Sequence, residues 1–131
     1  MSIRRFILKG KESMIDHVKS VNEFGCIYWV TARNKNMNIG DICYLFLSGK
    51  DHNQIRYRLE VIDTNCMRDD KCCWHIPFVG NKPCYKLIPT AEMYQGNDLS
   101  REDLEAIGIN RYVQYKELND YQISFIDSYF Q

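Results

Sequence analysis

The sequence predicts an α+β fold, a small mixed β-sheet curled into a barrel and flanked by helices. Three observations predict it. The elements read in the order β-α-β-β-β-loop-β-α-α, with adjacent strands joined by short turns. The segment Ile42–Leu47 is apolar at every position, so both of its faces must be covered. Ile55–Ile62 alternates, with Ile55, Tyr57, Leu59 and Val61 on one side and Arg56, Arg58 and Glu60 on the other, as a strand with one wet face does. At 131 residues and 45% hydrophobic content, residues 1–131 are expected to form one domain around one core.

Arg4–Leu8 reads as the first strand, and Ser13–Val21 places Met14, Ile15, Val18 and Val21 at helical spacing. Phe24-Gly25 ends that helix, and Cys26–Val30 is β-branched and aromatic enough for a buried strand. Thr31–Asn38 is polar and reads as a surface loop, and Gly40-Asp41 is a turn into the central strand. From Thr64 to Pro83 the chain is irregular and charged, yet it holds Trp74 and Phe78; a loop of that length usually has a task. Cys84–Ile88 returns to strand character. Ser100 offers an N-cap and Gly108 a C-cap to a short helix, and a last helix runs from about Asn119 to Tyr129.

Several function classes lose support at this level. No run approaches the roughly 18 apolar residues of a membrane span. The start Met1-Ser2-Ile3-Arg4-Arg5 leads into a mixed strand and not into the apolar stretch of a signal peptide, so a cytoplasmic protein without membrane contact is expected. Cys26, Cys43 and Cys84 lie in apolar stretches, where free cysteine behaves as a small hydrophobe, so reduced thiols are expected and disulfides are not. Cys66, Cys72, Cys73, His75 and Cys84 lack the paired C-x2-C spacing of a tetrahedral site, and no metal or other cofactor is expected. No nucleophile, zinc-protease, P-loop or dinucleotide motif appears, and His17, His52 and His75 have no matching nucleophile pattern, so no enzyme is expected. Asp69-Asp70, beside Arg68 and Lys71, reads as solvated charge.

Net charge is zero, which argues against coating nucleic acid by bulk electrostatics. The distribution is uneven, however. Residues 1–50 carry eight Lys/Arg against four Asp/Glu, and residues 91–131 carry three against eight. One reading gives the first half a phosphate-facing surface; the other gives the protein two solvated surfaces. The tryptophans pose a similar choice. Trp29 closes a strand and Trp74 sits in the long loop, either as core residue and loop anchor or as two faces that grip a planar base.

The runs Tyr28-Trp29-Val30-Thr31, Ile39-Gly40-Asp41-Ile42-Cys43-Tyr44-Leu45-Phe46-Leu47-Ser48 and Ile55-Arg56-Tyr57-Arg58-Leu59-Glu60-Val61 resemble the EVE members of the PUA-like superfamily, related to ASCH and YTH domains. The run Leu104–Gln114, with Gly108-Ile109 inside it, is similar to the tail of such domains. The resemblance implies a PUA-like barrel that holds a flipped, modified base. Methylated DNA is expected before RNA, with a link to restriction or defence and a nuclease partner in trans. Carried over, Trp29 would be one wall of the pocket, Thr31 a polar contact and Trp74 a second wall where its loop folds back. Ser48 and Gln114 would meet the base edge, Gly40 and Asp41 would shape the turn, and Arg33, Lys35 and Arg111 would form a basic rim. The competing readings are an RNA-binding PUA-like module acting on tRNA or rRNA, and a small-molecule binder or interaction barrel.

Overall fold

The computed structural model describes residues 3–31, 36–110 and 115–131. Six strands form one curled mixed sheet: β1 (Arg5–Lys11), β2 (Ile27–Val30), β3 (Ile42–Ser48), β4 (Gln54–Cys66), β5 (Cys84–Pro89) and β6 (Lys116–Glu117). Their order across the sheet is β2-β5-β4-β3-β1-β6. β1 runs parallel to β3, from Arg5 opposite Ile42 to Lys11 opposite Ser48, and the other pairings are antiparallel. A parallel neighbour needs a crossover, and α1 (His17–Phe24) with β2 lies in that connection. α2 (Arg101–Ala106) and α3 (Asp120–Asp127) complete the α+β architecture.

β3 is central, and both of its faces are covered, as its unbroken apolar run requires. Cys43, Leu45 and Leu47 belong to an inner core with Leu8, Tyr57, Leu59 and Leu87, against which Val18 and Val21 of α1 pack. Ile42, Tyr44 and Phe46 point the other way, into a second core closed by Leu104 of α2 and Ile126 of α3. Leu45 is fully buried, so truncating it to alanine is expected to cost about 2–5 kcal/mol.

The alternation of β4 holds only beyond Arg56. Between Leu45 and Phe46 the register slips, so that Leu45 faces Tyr57 while Phe46 faces Ile55, and one extra residue is accommodated at Arg56. Ile55 therefore joins the second core, whereas Tyr57, Leu59 and Val61 stay in the first. Arg56 is not on a wet face. It is buried, and its guanidinium donates to the carbonyls of Tyr94 at 3.1 Å and Gly96 at 2.9 Å. Those two bonds tie the loop after β5 to this strand.

The helix ends follow their capping residues. α1 starts later than its apolar spacing suggests because Asp16 caps it, accepting from Lys19 N at 2.9 Å. Met14 and Ile15 are left in the preceding turn, where both backbone N–H groups donate to Lys11 O. Gly25 ends the helix at φ +68°, a conformation a side chain resists, and donates to Val21 O. α2 and α3 each open with a reciprocal capping box, Ser100 with Asp103 and Asn119 with Gln122. Asp127 accepts from Arg58 Nε at 3.0 Å and from the Tyr44 hydroxyl, which fastens the end of α3 to the sheet. Among the described residues no helix is long and apolar enough to cross a membrane.

Candidate functional site

The end of β1, the turn into α1, the end of β2 and the loop after β4 surround a cavity of about 310 Å³. That volume is at the lower end of small-ligand sites. Trp29 and Trp74 both line it, together with His17, Arg68, Tyr115 and the backbone around Gly10. Lys11 adds positive charge to the lining, while the Lys9 ammonium lies 5.6 Å over the Phe46 ring on the other face of the sheet.

Trp74 reaches the cavity because the long loop folds back onto α1. A single 3-10 turn, Lys71–Cys73, precedes it. The Cys73 carbonyl accepts from Asp16 N at 2.8 Å, Ile15 pairs with Trp74, and His75 N donates to Met14 O at 2.9 Å. A buried ion pair holds the ring from the other side. Arg68 Nε and Nη2 each lie 2.8 Å from a carboxylate oxygen of Asp70, and Trp74 Nε1 donates to the same carboxylate at 3.2 Å. The Arg68 guanidinium carbon sits 4.6 Å from the centroid of the Trp74 ring, a cation–π contact, and Phe78 meets that ring edge-on at 5.0 Å. Asp70 is therefore not solvated charge. It is 1% exposed, and only Asp69 of the pair faces water.

Trp29 is positioned by β2, which pairs with β5 so that Trp29 lies opposite Tyr85. The His17 ring packs 5.6 Å from it at a 32° tilt. Tyr115 adopts φ +58°, unusual for an aromatic residue, and its hydroxyl donates to Val30 O at 2.8 Å. His17 is buried, and burial lowers its pKa to about 4, with the Arg68 guanidinium adding to the effect and Asp70 and Asp16 opposing it. It is neutral at ordinary pH. Its Nδ1 is buried without a hydrogen-bond partner, and its Nε2 edge abuts Gly10: a Cβ there would sit 2.8 Å from Nε2. Beside it, Glu12 accepts from His17 N at 3.3 Å, and burial raises its carboxyl to about 7.

The residues expected from sequence divide into three groups. Trp29 and Trp74 come together in the cavity. Thr31 and Ser48 are not among its lining residues: Thr31 Oγ1 donates to Pro83 O at 3.4 Å, extending the β2–β5 pairing, and Ser48 Oγ donates to Gly10 O at 3.2 Å, bracing the backbone of the wall. Gly40, at φ +95°, and the buried Asp41 shape the turn into β3, where the Asp41 carboxylate accepts from Arg4 N and Asn38 N. Gln114, Arg33, Lys35 and Arg111 lie outside the described residues. Sequence reasoning missed His17, Gly10, Arg68 and Tyr115. A histidine at a helix start and an Arg-x-Asp in a loop carry no local signal of a cavity.

Among the described residues no group of three or more His, Cys, Asp or Glu is arranged to hold a metal ion. No protein-family model matches the chain, and no curated protein does either. Solved structures do. Human THYN1, in complex with 5-methylcytosine containing DNA, superposes with a TM-score of 0.61 at 9% identity, over 95% of this chain and 96% of that one. The Pho92 YTH domain, in complex with m6A, gives 0.60 at 19% identity, over 98% and 89%. Rpa0253 from Rhodopseudomonas palustris gives 0.65 at 12% identity, over 98% and 93%. At such identities the similarity is one of fold. A curled six-stranded mixed sheet with three flanking helices, shared over nearly the whole length with these proteins, gives the chain the PUA-like fold of EVE-type and YTH domains.

Proposed function

We propose that residues 1–131 form one EVE-type domain that reads a modified nucleobase, held flipped in the cavity between Trp29 and Trp74, and that it catalyses nothing. The observation that carries this reading is that two tryptophans from segments 45 positions apart line one cavity of about 310 Å³. Each base–aromatic stack contributes about 1–3 kcal/mol, so two walls suffice for a measurable preference. A neutral imidazole carries one N–H donor and one lone pair, which makes His17 a partner for the base edge that the sequence did not suggest. Lys11 joins Arg33, Lys35 and Arg111 as a proposed phosphate contact, and Gln114 remains a proposed edge partner.

Methylated DNA is the first target considered, because the THYN1 structure of the same fold holds 5-methylcytosine DNA. RNA is the second reading, favoured by the YTH domain of Zygosaccharomyces rouxii MRB1, a structure of the same fold in complex with N6-methyladenosine RNA. A cytoplasmic role in defence, with a nuclease acting in trans, belongs to the DNA reading. The test is a titration of the purified protein against short DNA and RNA strands, each with and without 5-methylcytosine or N6-methyladenine. A preference of tenfold or more for one modified strand, about 1.4 kcal/mol, is expected. No binding to any strand would overturn the reading in favour of a small-molecule site or an interaction barrel.

A further inference from the structure

We propose that Cys72 and Cys73 are a reversible oxidation site, closed to a disulfide by a hydroperoxide, and that closing it withdraws the Trp74 wall from the cavity. The effect on base binding rests on the reading above; the oxidation and the movement of Trp74 do not. The two Sγ atoms are 4.0 Å apart in the 3-10 turn immediately before Trp74. Cys72 is exposed and Cys73 is fully buried, so an oxidant in solution meets Cys72 first. Burial pushes the Cys73 thiol up to about 12, which keeps it protonated and leaves it as the resolving partner.

The chemistry is a two-step oxidation. The Cys72 thiol, which donates to Glu23 Oε2 at 3.7 Å, loses its proton and attacks the peroxide, giving a sulfenic acid and, with hydrogen peroxide, one water. The Cys73 sulfur then attacks the Cys72 sulfur. The S–S bond forms, the S–O bond breaks, and the hydroxyl leaves with the Cys73 proton as a second water. Two thiols are oxidised by two electrons and one peroxide is reduced.

The turn cannot absorb this bond unchanged. A disulfide brings its sulfurs to about 2.05 Å and usually spans Cα atoms at least about 4.4 Å apart. Adjacent Cα atoms lie only about 3.8 Å apart across a trans peptide. The bond is therefore strained, and drawing the sulfurs together from 4.0 Å has to turn the dihedrals that flank the peptide between the two residues, whose carbonyl and the next one are docking points. Lys19 Nζ donates to Cys72 O at 3.3 Å, and Asp16 N donates to Cys73 O at 2.8 Å. Trp74 N, bonded to Lys71 O at 3.1 Å, closes the same turn. Turning the peptide loosens the segment that holds Trp74 against α1. The strain also makes the bond easy to reduce, so the change is reversible by a thiol reductant.

The experiment treats the reduced protein with hydrogen peroxide and then with dithiothreitol. The chymotryptic peptide ending at Trp74 is weighed, and Trp74 fluorescence is followed in Trp29→Phe, which leaves one tryptophan. Affinity for the preferred modified oligonucleotide is measured in the wild type and in Cys72→Ser. The expected result is a peptide two hydrogens lighter, a reversible fluorescence change, and an affinity at least tenfold weaker when oxidised. Cys72→Ser should bind equally in both states. Sulfinic acid at Cys72 without a disulfide, or a disulfide that leaves Trp74 fluorescence unchanged, would overturn the proposal. Failure of the reduced protein to bind any oligonucleotide would remove the base reading, while the peptide mass and the fluorescence would still decide this one.

Discussion

Arg68 stacks on Trp74 with its guanidinium carbon 4.6 Å from the ring centroid, and the same guanidinium grips Asp70 through two nitrogens at 2.8 Å. The pair is 3% and 1% exposed at its side chains, so it is shielded from salt and water. Its charges are matched in place. Removing either one leaves the other buried and unpaired, which generally costs about 3–5 kcal/mol. Arg68→Met is thus expected to destabilise the protein by that order in urea unfolding. Replacing both, as Arg68→Met with Asp70→Leu, should recover much of the loss while still freeing Trp74. A single variant no less stable than wild type would show that the pair does not anchor the loop.

The walls and the basic lining should separate in binding. Trp74→Ala removes one stacking face, worth about 1–3 kcal/mol, and should lower affinity for a modified strand roughly ten- to a hundredfold. Trp29→Ala should do the same and erase the preference for the modified base. Lys11→Ala touches charge alone, at an exposed residue of the cavity lining. It should weaken modified and unmodified strands alike and lower the salt slope by about one phosphate's share. A loss of preference in Lys11→Ala, or none in Trp29→Ala, would reverse these assignments.

What the sequence revealed depended on whether the signal was local. The unbroken apolar run Ile42–Leu47 announced a central strand covered on both faces, and β3 is that strand. The alternation of Ile55–Ile62 hid the slip at Arg56, because a bulge is a relation between two strands and leaves no mark on one. Trp74 was conspicuous as a tryptophan in a long loop. Its docking was not, since Asp70 reads as one more acid until Arg68 is seen beside it at 3% exposure. His17 carries no local mark in the sequence. Its place in the cavity follows from the close approach of Gly10, in a strand whose contact with the helix start exists only in three dimensions.

Acid stability should carry two opposing slopes. His17 has a folded pKa of about 4 against an ordinary 6.5, so between those values the unfolded chain binds more protons. Its contribution is present above pH 6.5 and is lost as pH falls toward 4. Glu12 is raised from 4.5 to about 7, so its contribution is present below 4.5 and is lost as pH rises through 7. Between 4.5 and 6.5 the two partly cancel. Glu12→Gln should expose the His17 slope, with stability rising with pH, and His17→Gln should expose the reverse. Parallel pH profiles of unfolding for the two variants would contradict both assignments.

Gly10 of the first strand abuts His17 at the helix start. A methyl group there would lie 2.8 Å from His17 Nε2 and 2.9 Å from its Cδ2, inside van der Waals contact. The imidazole has little room to retreat, being 3% exposed and packed 5.6 Å from Trp29. Gly10→Ala should therefore cost about 1–3 kcal/mol, the usual penalty of overpacking. It should also weaken base binding, because the ring it displaces lines the cavity. His17→Ala removes the obstructing ring, so the double variant should be more stable than the sum of the two single losses predicts. Such coupling is measured by a double-mutant cycle in urea. Strict additivity, or a Gly10→Ala variant within about 0.5 kcal/mol of wild type, would mean that the helix start moves freely and that Gly10 does not set the depth of the cavity.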